Sequence, residues 1–264
     1  KRAQELFVKK YSEYCSTFHG LTQLAYKVLL SLKDDGFTVS DRRLFASFLL
    51  FQRMIENIEA CYDLIKKGFF AQSYMLVRIV IENFAKLKLV YEDPKYANEF
   101  IDYYTLIEDI KNINRILNEA PKNEIKGFIK NHNKALAELE NKIKEYDKKR
   151  VGRKKIENST AILKESRVYE VIKFVQPMMN EHIHSSYRSL EKYLDVDDVT
   201  VTGLLYGENY EDADVKLISL SEILWRAMYI ITDIYEIRKK WEKQLEGFVY
   251  EIEKLEKMMN DKNT

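Results

Sequence analysis

Residues 72–93, QSYMLVRIVIENFAKLKLVYED, form a strongly apolar segment that constrains the fold more than any other stretch. A helix that is apolar on nearly all sides belongs in the centre of a bundle rather than on its surface. Two opposite charges, Arg78 and Glu82, lie in the middle of this segment. We therefore predict an all-α bundle with this segment as its central helix.

The composition favours one helical domain over residues 1–264. The chain is 46% hydrophobic and 32% charged, and its three prolines and eight glycines leave little material for linkers. Lys and Arg number 43 against 42 Asp and Glu, so the net charge is +1. Such a balance gives no overall attraction for nucleic acid or an anionic membrane, and any binding of this kind requires a local basic patch.

The apolar runs and the two cysteines bear on location. The longest apolar runs fall well short of the roughly 20 residues that a spanning helix needs, so no transmembrane segment is expected. The first residues, KRAQELFVKKYSEY, lack the apolar core of a signal peptide. With only Cys15 and Cys61, a disulfide framework is not expected, and a reducing, cytoplasmic location follows as the expectation.

Apolar residues recur at steps of three and four along most of the chain, which predicts about eight helices. Ser40 is the expected N-cap of the second helix. A strand is considered for Val199–Leu205, inside an irregular loop over 195–212. The predicted helices span 2–33, 41–67, 72–93, 94–120, 121–150, 166–176, 178–194 and 214–260.

Two regions have the alternating spacing of a coiled coil. Residues 125–146 have it, so 95–149 is predicted to form a long antiparallel hairpin that projects from the bundle, followed by a basic and polar loop over 150–165. The second half of the long predicted C-terminal helix has the same coiled-coil spacing between Trp241 and Met259. This second seam needs a partner helix, from the same chain or from a second copy, and we expect a homodimer.

Arg78, Glu82 and Lys86 follow one another at steps of four, on one face of the central helix. If the row is exposed, it is a charge ladder in which each pair contributes a few tenths of a kcal/mol. If it is buried, both charges must be partnered, since stranding one costs several kcal/mol. Buried paired charges in a core helix can mark a functional site.

Residues 178–190, MMNEHIHSSYRSL, contain a polar edge formed by Asn180, His184 and Arg188. His184 is a candidate general acid or base because the ordinary pKa of histidine is near neutral; the alternative is a hydrogen-bonded structural histidine. His182 is two residues away and points to a different face of a helix, so the two histidines make a poor metal pair.

A basic run, KKRVGRKK, follows the predicted hairpin. It is either a phosphate-binding patch or a solvated hairpin tip. Cys15 and His19 are four apart but have no two further ligands near them in the sequence, and no phosphate loop or hydrolase motif is present, so neither metal nor cofactor is expected. The candidate phosphate-binding residues are Lys148, Lys149, Arg150, Arg153, Lys154, Lys155 and Arg188.

Two segments resemble a group of uncharacterised bacterial helical proteins that share a domain of unknown function. The first is LVRIVIENFAKLKLVYEDPKYANEFIDYY, residues 76–104, which includes Arg78, Glu82 and Asp93-Pro94. The second is NEHIHSSYRSLEKYL, residues 180–194, around His184. This second segment is also similar to the HEPN helical superfamily, many of whose members are metal-independent RNases of toxin and phage-defence systems.

The HEPN motif is an arginine, usually a polar residue, three more residues and a histidine. The resemblance places His184 at the motif histidine and Asn180 at the polar residue, but Met179 stands where the arginine should be. Methionine cannot stabilise the charge of a phosphate, so either another cation such as Arg78 or Arg188 fills that role or the site is not catalytic.

The resemblance implies a bacterial accessory or defence protein that acts on RNA. His184 is then the acid or base, Asn180 its partner, and Arg78 with Glu82 a supporting pair. The alternative is a non-catalytic helical scaffold that binds a protein through the hairpin or the C-terminal seam. The missing motif arginine favours the scaffold, and the combination of Arg78, Glu82 and His184 favours a site.

Overall fold

The computed structural model describes residues 2–36, 38, 40–119, 126–149, 159–168, 194–197, 200–204, 210 and 213–262. The fold is a multi-helix bundle, so the predicted all-α class is confirmed. Between α5 and α6 lies a π-helical segment, Glu99–Tyr103. The helices are α1 (Arg2–Lys10), α2 (Ser12–Asp35), α3 (Arg42–Lys66), α4 (Phe70–Glu92), α5 (Pro94–Asn98), α6 (Tyr104–Glu119), α7 (Lys126–Lys149), α8 (Ser159–Glu165), α9 (Ala213–Ile234) and α10 (Arg238–Lys262).

The apolar segment forms α4, which lies at the centre of the bundle as predicted. It packs most extensively on α3, and it also contacts α9, α5 and α8. Val80, Ala85 and Leu87 are completely buried there. Burial of a valine or leucine side chain contributes roughly 1.5–3 kcal/mol, so α4 is a main source of the stability of the bundle.

The helix ends around α3 and α4 follow local signals. Asp41 rather than the expected Ser40 caps α3, because its carboxylate accepts a hydrogen bond from the backbone N–H of Leu44 at 3.1 Å. Gly68 ends α3 with a φ of 75°, in the left-handed region that glycine adopts without steric cost. Asp93 caps α5, where Pro94 occupies the first turn as predicted.

The first predicted helix is interrupted once. Tyr11 separates α1 from α2 with φ −111° and ψ 30°, so a single helix over 2–33 is wrong at this residue. The backbone N–H of Tyr11 still donates to the carbonyl of Phe7 at 2.9 Å, and the chain bends rather than reverses. The hydroxyl of Tyr11 donates to the carbonyl of Tyr210 at 3.3 Å, a tertiary contact that local sequence spacing does not encode.

Residues 94–119 and 126–149 pack against each other as an antiparallel helical hairpin, and its first arm differs from the prediction. The first arm of the hairpin is not one α-helix; it consists of α5, the π-helical segment and α6. Among the described elements, α6 and α7 make their main contacts with each other and, for α6, with the π-helical segment. Tyr103 and Tyr146 pack at the base of the hairpin, with ring centroids 5.5 Å apart.

The region after the hairpin differs from the prediction. The polar loop expected over 150–165 contains α8, and α8 ends where a sixth helix was predicted to begin at Ser166. Arg167 has a φ of 59°, which ends the helix there. Strands β1 (Leu194–Asp197) and β2 (Thr200–Leu204) form a small antiparallel hairpin, so Leu194 is not the end of a helix, and the strand considered for Val199–Leu205 is confirmed at 200–204.

The C-terminal region is not one long helix over 214–260. It is divided into α9 and α10 by a turn at Glu236, whose φ is 58°. The N–H of Ile237 donates to the carbonyl of Thr232 at 2.9 Å, and the N–H of Glu236 donates to that of Asp233 at 3.1 Å. This pair of bonds is the Schellman motif, which usually has glycine at the left-handed position. In this turn the left-handed position is occupied by glutamate, so no glycine in the sequence marked the end of α9.

The apolar seam of α10 is covered within the chain by α2 and α9. Leu245, Ile252 and Leu255 are all buried. Gly20 of α2 allows the close approach of Phe248, since a Cβ at Gly20 would lie 3.1 Å from the Phe248 Cζ atom. The partner of this seam therefore comes from the same chain, and the seam gives no argument for a second copy.

None of the helices in the described part of the chain combines the length and apolarity needed to cross a bilayer.

The turn at Glu236 yields a stability prediction. Glu236→Gly should raise the free energy of unfolding by roughly 0.5–1 kcal/mol, because glycine adopts the left-handed conformation without contact between Cβ and the backbone. The matched control is Glu246→Gly, an exposed position inside α10, which should cost about 1 kcal/mol. Urea denaturation midpoints measure both. A loss of stability in Glu236→Gly as large as that of the control would contradict a left-handed turn.

Candidate functional site

Arg78 and Glu82 form an ion pair on α4, with 3.0 Å between Arg78 Nε and Glu82 Oε1. The Arg78 side chain is 33% exposed and that of Glu82 is 19% exposed. The pair is therefore neither the fully buried pair nor the exposed ladder that the spacing left open. Arg78 has a further interaction in addition to this one. Both charges are partly desolvated, which strengthens their attraction relative to a pair in water.

Lys86 extends the charged row towards the π-helical segment. Its Nζ atom lies 5.8 Å from the centroid of the Phe100 ring, within the range of a cation–π contact. Lys86 is half-buried, so the contact leaves part of the side chain in solvent. The row Arg78, Glu82 and Lys86 thus lies on one side of α4, as its spacing predicted.

Two buried polar residues, one on α4 and one in the π-helical segment, were missed by the sequence interpretation. Glu99, in the π-helical segment, is only 3% exposed and has an interaction partner. Asn83 is 8% exposed, and within the described part of the chain its Nδ2 atom has no hydrogen-bond partner. π-Helical segments occur often at functional sites. Neither residue had a recognisable signal, since both lie in stretches with ordinary helical spacing.

A second buried polar cluster lies between α3, α4 and α9. Lys216 is 5% exposed; its Nζ donates to the hydroxyl of Ser73 at 3.0 Å and lies 4.0 Å from the centroid of the Tyr74 ring. The Cys61 thiol donates to the Ser73 carbonyl at 3.4 Å. Burial raises the pKa of Cys61 to about 12, opposed by the charge of Lys216. A lysine inside the core-like sequence of α9 was the available signal for this cluster.

Cys15 and His19 of α2 both contact Tyr62 of α3. His19 Nε2 is 3.0 Å from the Tyr62 hydroxyl, and the Tyr62 ring stacks on Phe18 with 4.8 Å between centroids. Burial is the main reason why the pKa of Cys15 is raised, which keeps its thiol protonated. No group of three or more metal-binding side chains occurs within the described residues.

Most of the predicted catalytic and phosphate-binding residues lie outside the described part of the chain. Lys148 is described and exposed near the end of α7, and Lys149 is the last residue of that helix. The structure therefore brings together Arg78, Glu82 and Lys86, and it does not describe their position relative to the remaining candidates. Those candidates are Asn180, His184, Arg188, Arg150, Arg153, Lys154 and Lys155.

The fold defines the class of protein first: an α-helical bundle whose central helix carries a partly buried ion pair. Comparison with known proteins then adds the family. Residues 44–200 match the family of unknown function DUF5677, and since this match spans more than half of the chain, the protein belongs to that family. No curated protein and no solved structure matches the chain.

The matched residues run from the start of α3 to the first residue of β2. They include Arg78, Glu82 and the segment with Asn180 and His184, so the two segments that carried the family resemblance belong to one family unit. The resemblance to an uncharacterised helical family is confirmed. The similarity to HEPN proteins receives no support from the comparisons.

The exposure of the ion pair leads to a stability prediction. Glu82→Ala should lower the free energy of unfolding by about 1–2 kcal/mol, between the values typical of exposed pairs and of buried pairs left unpaired. Glu222→Ala is the control: it removes another i, i+4 pair, with Arg226, whose side chains are 34% and 54% exposed. Its loss should be about 0.5 kcal/mol. Equal losses in the two variants would show that burial adds nothing to the Arg78–Glu82 pair.

The buried thiol predicts a dependence of stability on pH. Above pH 9 the unfolded state loses the Cys61 proton while the folded state keeps it, since the folded pKa is about 12. The unfolded state then binds fewer protons, so the free energy of unfolding must fall as the pH rises. Cys61→Ser should make this fall between pH 9 and 10 shallower by about 1 kcal/mol per pH unit. The internal control is pH 6–7, where the two slopes should coincide; coinciding slopes at pH 9–10 would contradict the assignment.

Proposed function

We propose that this protein acts on RNA, as a HEPN-like accessory or phage-defence protein of bacteria that cleaves RNA without a metal ion. His184 acts as general acid or base, and Asn180 is its polar partner. The observation that supports the proposal is the partly buried Arg78–Glu82 ion pair on the central helix, in the same family unit as His184. A partly buried charged pair on a largely apolar core helix costs desolvation, and function is one reason to retain it.

The proposed roles follow the chemistry of RNA cleavage. A histidine with a near-neutral pKa can move a proton at the attacking 2′-hydroxyl or at the leaving oxygen. Cations stabilise the charge that develops on the phosphate. Lys148, the rest of the basic run to Lys155, and Arg188 supply that charge, while Arg78 and Glu82 act as a supporting pair. The cytoplasm is the proposed location, in agreement with the two free, buried cysteines.

A second candidate function is a non-catalytic scaffold that binds a protein through the α6–α7 hairpin. The favouring observation is that the described part of the hairpin packs mainly on itself, and that Leu136, Leu139 and Ile143 in its seam are only half-buried. A long, exposed helical pair of this kind offers apolar positions at regular spacing to a partner helix. This candidate requires no catalytic residue.

Mutation of His184 separates the two functions. Purified protein is incubated with labelled RNAs of diverse sequence in the presence of a chelator. His184→Ala should reduce cleavage by roughly 100-fold or more, because a general acid or base contributes a factor of that size. Asn180→Ala should reduce it less, and the control His182→Ala should be nearly silent, since residues two apart in a helix point to different faces.

Melting temperatures of the three variants should remain close to that of the wild type. Cleavage that persists in His184→Ala points to a contaminating nuclease or another site. A wild-type protein that cleaves none of the RNAs overturns the proposal and favours the scaffold.

A further inference from the structure

The central helix α4 is not enclosed on all sides. Met75 and Ile79, one turn apart on α4, are 49% and 39% exposed, although α4 packs on α3 and α9 with its other faces. Helices that are apolar nearly all round are ordinarily covered on every side, and adjacent exposed apolar side chains on such a helix indicate an interaction surface. Arg78 and Glu82 lie beside these two residues on the same side of α4.

We propose that this face of α4 binds the same face of a second copy of the chain, as an antiparallel pair of α4 helices related by a two-fold axis. The proposal rests on exposure and charge and is independent of the proposed action on RNA. For convenience, the surface formed by Met75, Arg78, Ile79 and Glu82 is called the α4 face.

The charges of the α4 face are complementary to their own copy. In an antiparallel pair whose two-fold axis passes α4 at the level of residue 80, Arg78 of each chain lies opposite residue 82 of the other. Two reciprocal Arg–Glu contacts result, which is the isologous arrangement of a two-fold interface. A two-fold axis perpendicular to both helices keeps like edges together, so the charged edges meet each other and Ile79 meets its own copy, while Met75 lies level with residue 85 of the other chain.

The apolar part of the face has the same symmetry. Ile79 is one residue, or about 1.5 Å along the helix, from the two-fold axis, so it packs against its own copy. Met75 has an unbranched side chain that adapts to an irregular surface. With a net charge of +1, two copies do not repel each other strongly. A partner with a different sequence would need to reproduce this order of charges by coincidence, whereas a second copy has it necessarily.

The interface would bury the remaining exposed part of the Arg78–Glu82 pair and give each charge an additional partner across the interface. Arg78 would then be committed to protein–protein contacts. The basic run to Lys155 and Arg188 are not part of the α4 face, so these cations would still be available to contact the phosphate of RNA. The dimer and the RNA activity can therefore fail separately.

The first test compares two isoleucines of equal exposure. Ile79→Arg places a like charge near the two-fold axis and should convert a dimer into a monomer, whereas Ile116→Arg on α6 should remain dimeric; both residues are 39% exposed in the wild type. Masses are measured by sedimentation equilibrium at roughly 1–100 µM, the range that covers micromolar dissociation constants. Circular dichroism checks that each variant is folded.

The second test uses charge reversal and mixing. Arg78→Glu gives a face with two acids, and Glu82→Arg gives a face with two bases, so each variant alone should be monomeric. Mixed in equal amounts, they should form a heterodimer, because each acidic face meets a basic one. An intrachain role for these residues cannot produce rescue by mixing.

Three results would overturn the proposal. A wild-type protein with the mass of one chain throughout the concentration range excludes it. Dissociation by Ile116→Arg but not by Ile79→Arg assigns the interface to the hairpin. Charge-reversed variants that fold but remain monomeric when mixed exclude the reciprocal ion pairs.

Discussion

Burial of α4 against α3 and α9 is the constraint on which the rest of the bundle depends. An apolar helix in water is unfavourable at about 25 cal/mol per Å² of exposed apolar surface, so the other helices must cover it. The polar groups carried into this core are accommodated locally. Lys216 donates to Ser73, and the Ser73 carbonyl accepts from Cys61, so a charge and a thiol enter the core with partners.

Polar contacts fix the end of α4 that lies near the C-terminal turn. The Arg43 guanidinium donates to the carbonyls of Val90 and Tyr91, at 3.4 and 2.9 Å. The Tyr91 hydroxyl donates to Asp233 at 2.5 Å, and this bond is the main cause of the raised pKa of Tyr91. Asp233 is also 3.0 Å from Arg238. The network joins α3 and α4 to the turn between α9 and α10, so apolar packing in the middle of the bundle is combined with directional bonds at its end.

The candidate site could be predicted from the sequence only in part. The Arg78–Glu82 pair was predictable, because residues four apart on a helix are neighbours whatever surrounds them. Asn83 and Glu99 were not, since their importance lies in burial by elements distant in the chain, and the sequence signals Lys216 only as a lysine in an apolar stretch. The exposure of Met75 and Ile79 could not be predicted either. The sequence indicates that α4 is apolar, but it does not indicate which face of α4 the other helices leave exposed.

The sequence by itself determined most of the long helices in the described part of the chain and the central position of α4, because periodic apolar spacing and local signals such as Gly68 and Pro94 act within one or two turns of the chain. Tertiary structure decided where helices are interrupted and what covers each seam. The turn at Glu236 holds a non-glycine residue in a left-handed conformation that nearby contacts support: Asp233 is bound by Tyr91 and Arg238, and Arg238 lies over the Tyr229 ring at 3.6 Å. The apolar seam of α10 packs on α9 and on α2, where Gly20 leaves room for Phe248. An apolar seam indicates that a partner is needed, but the shapes of the surfaces that meet select the partner, and these surfaces exist only in the folded protein.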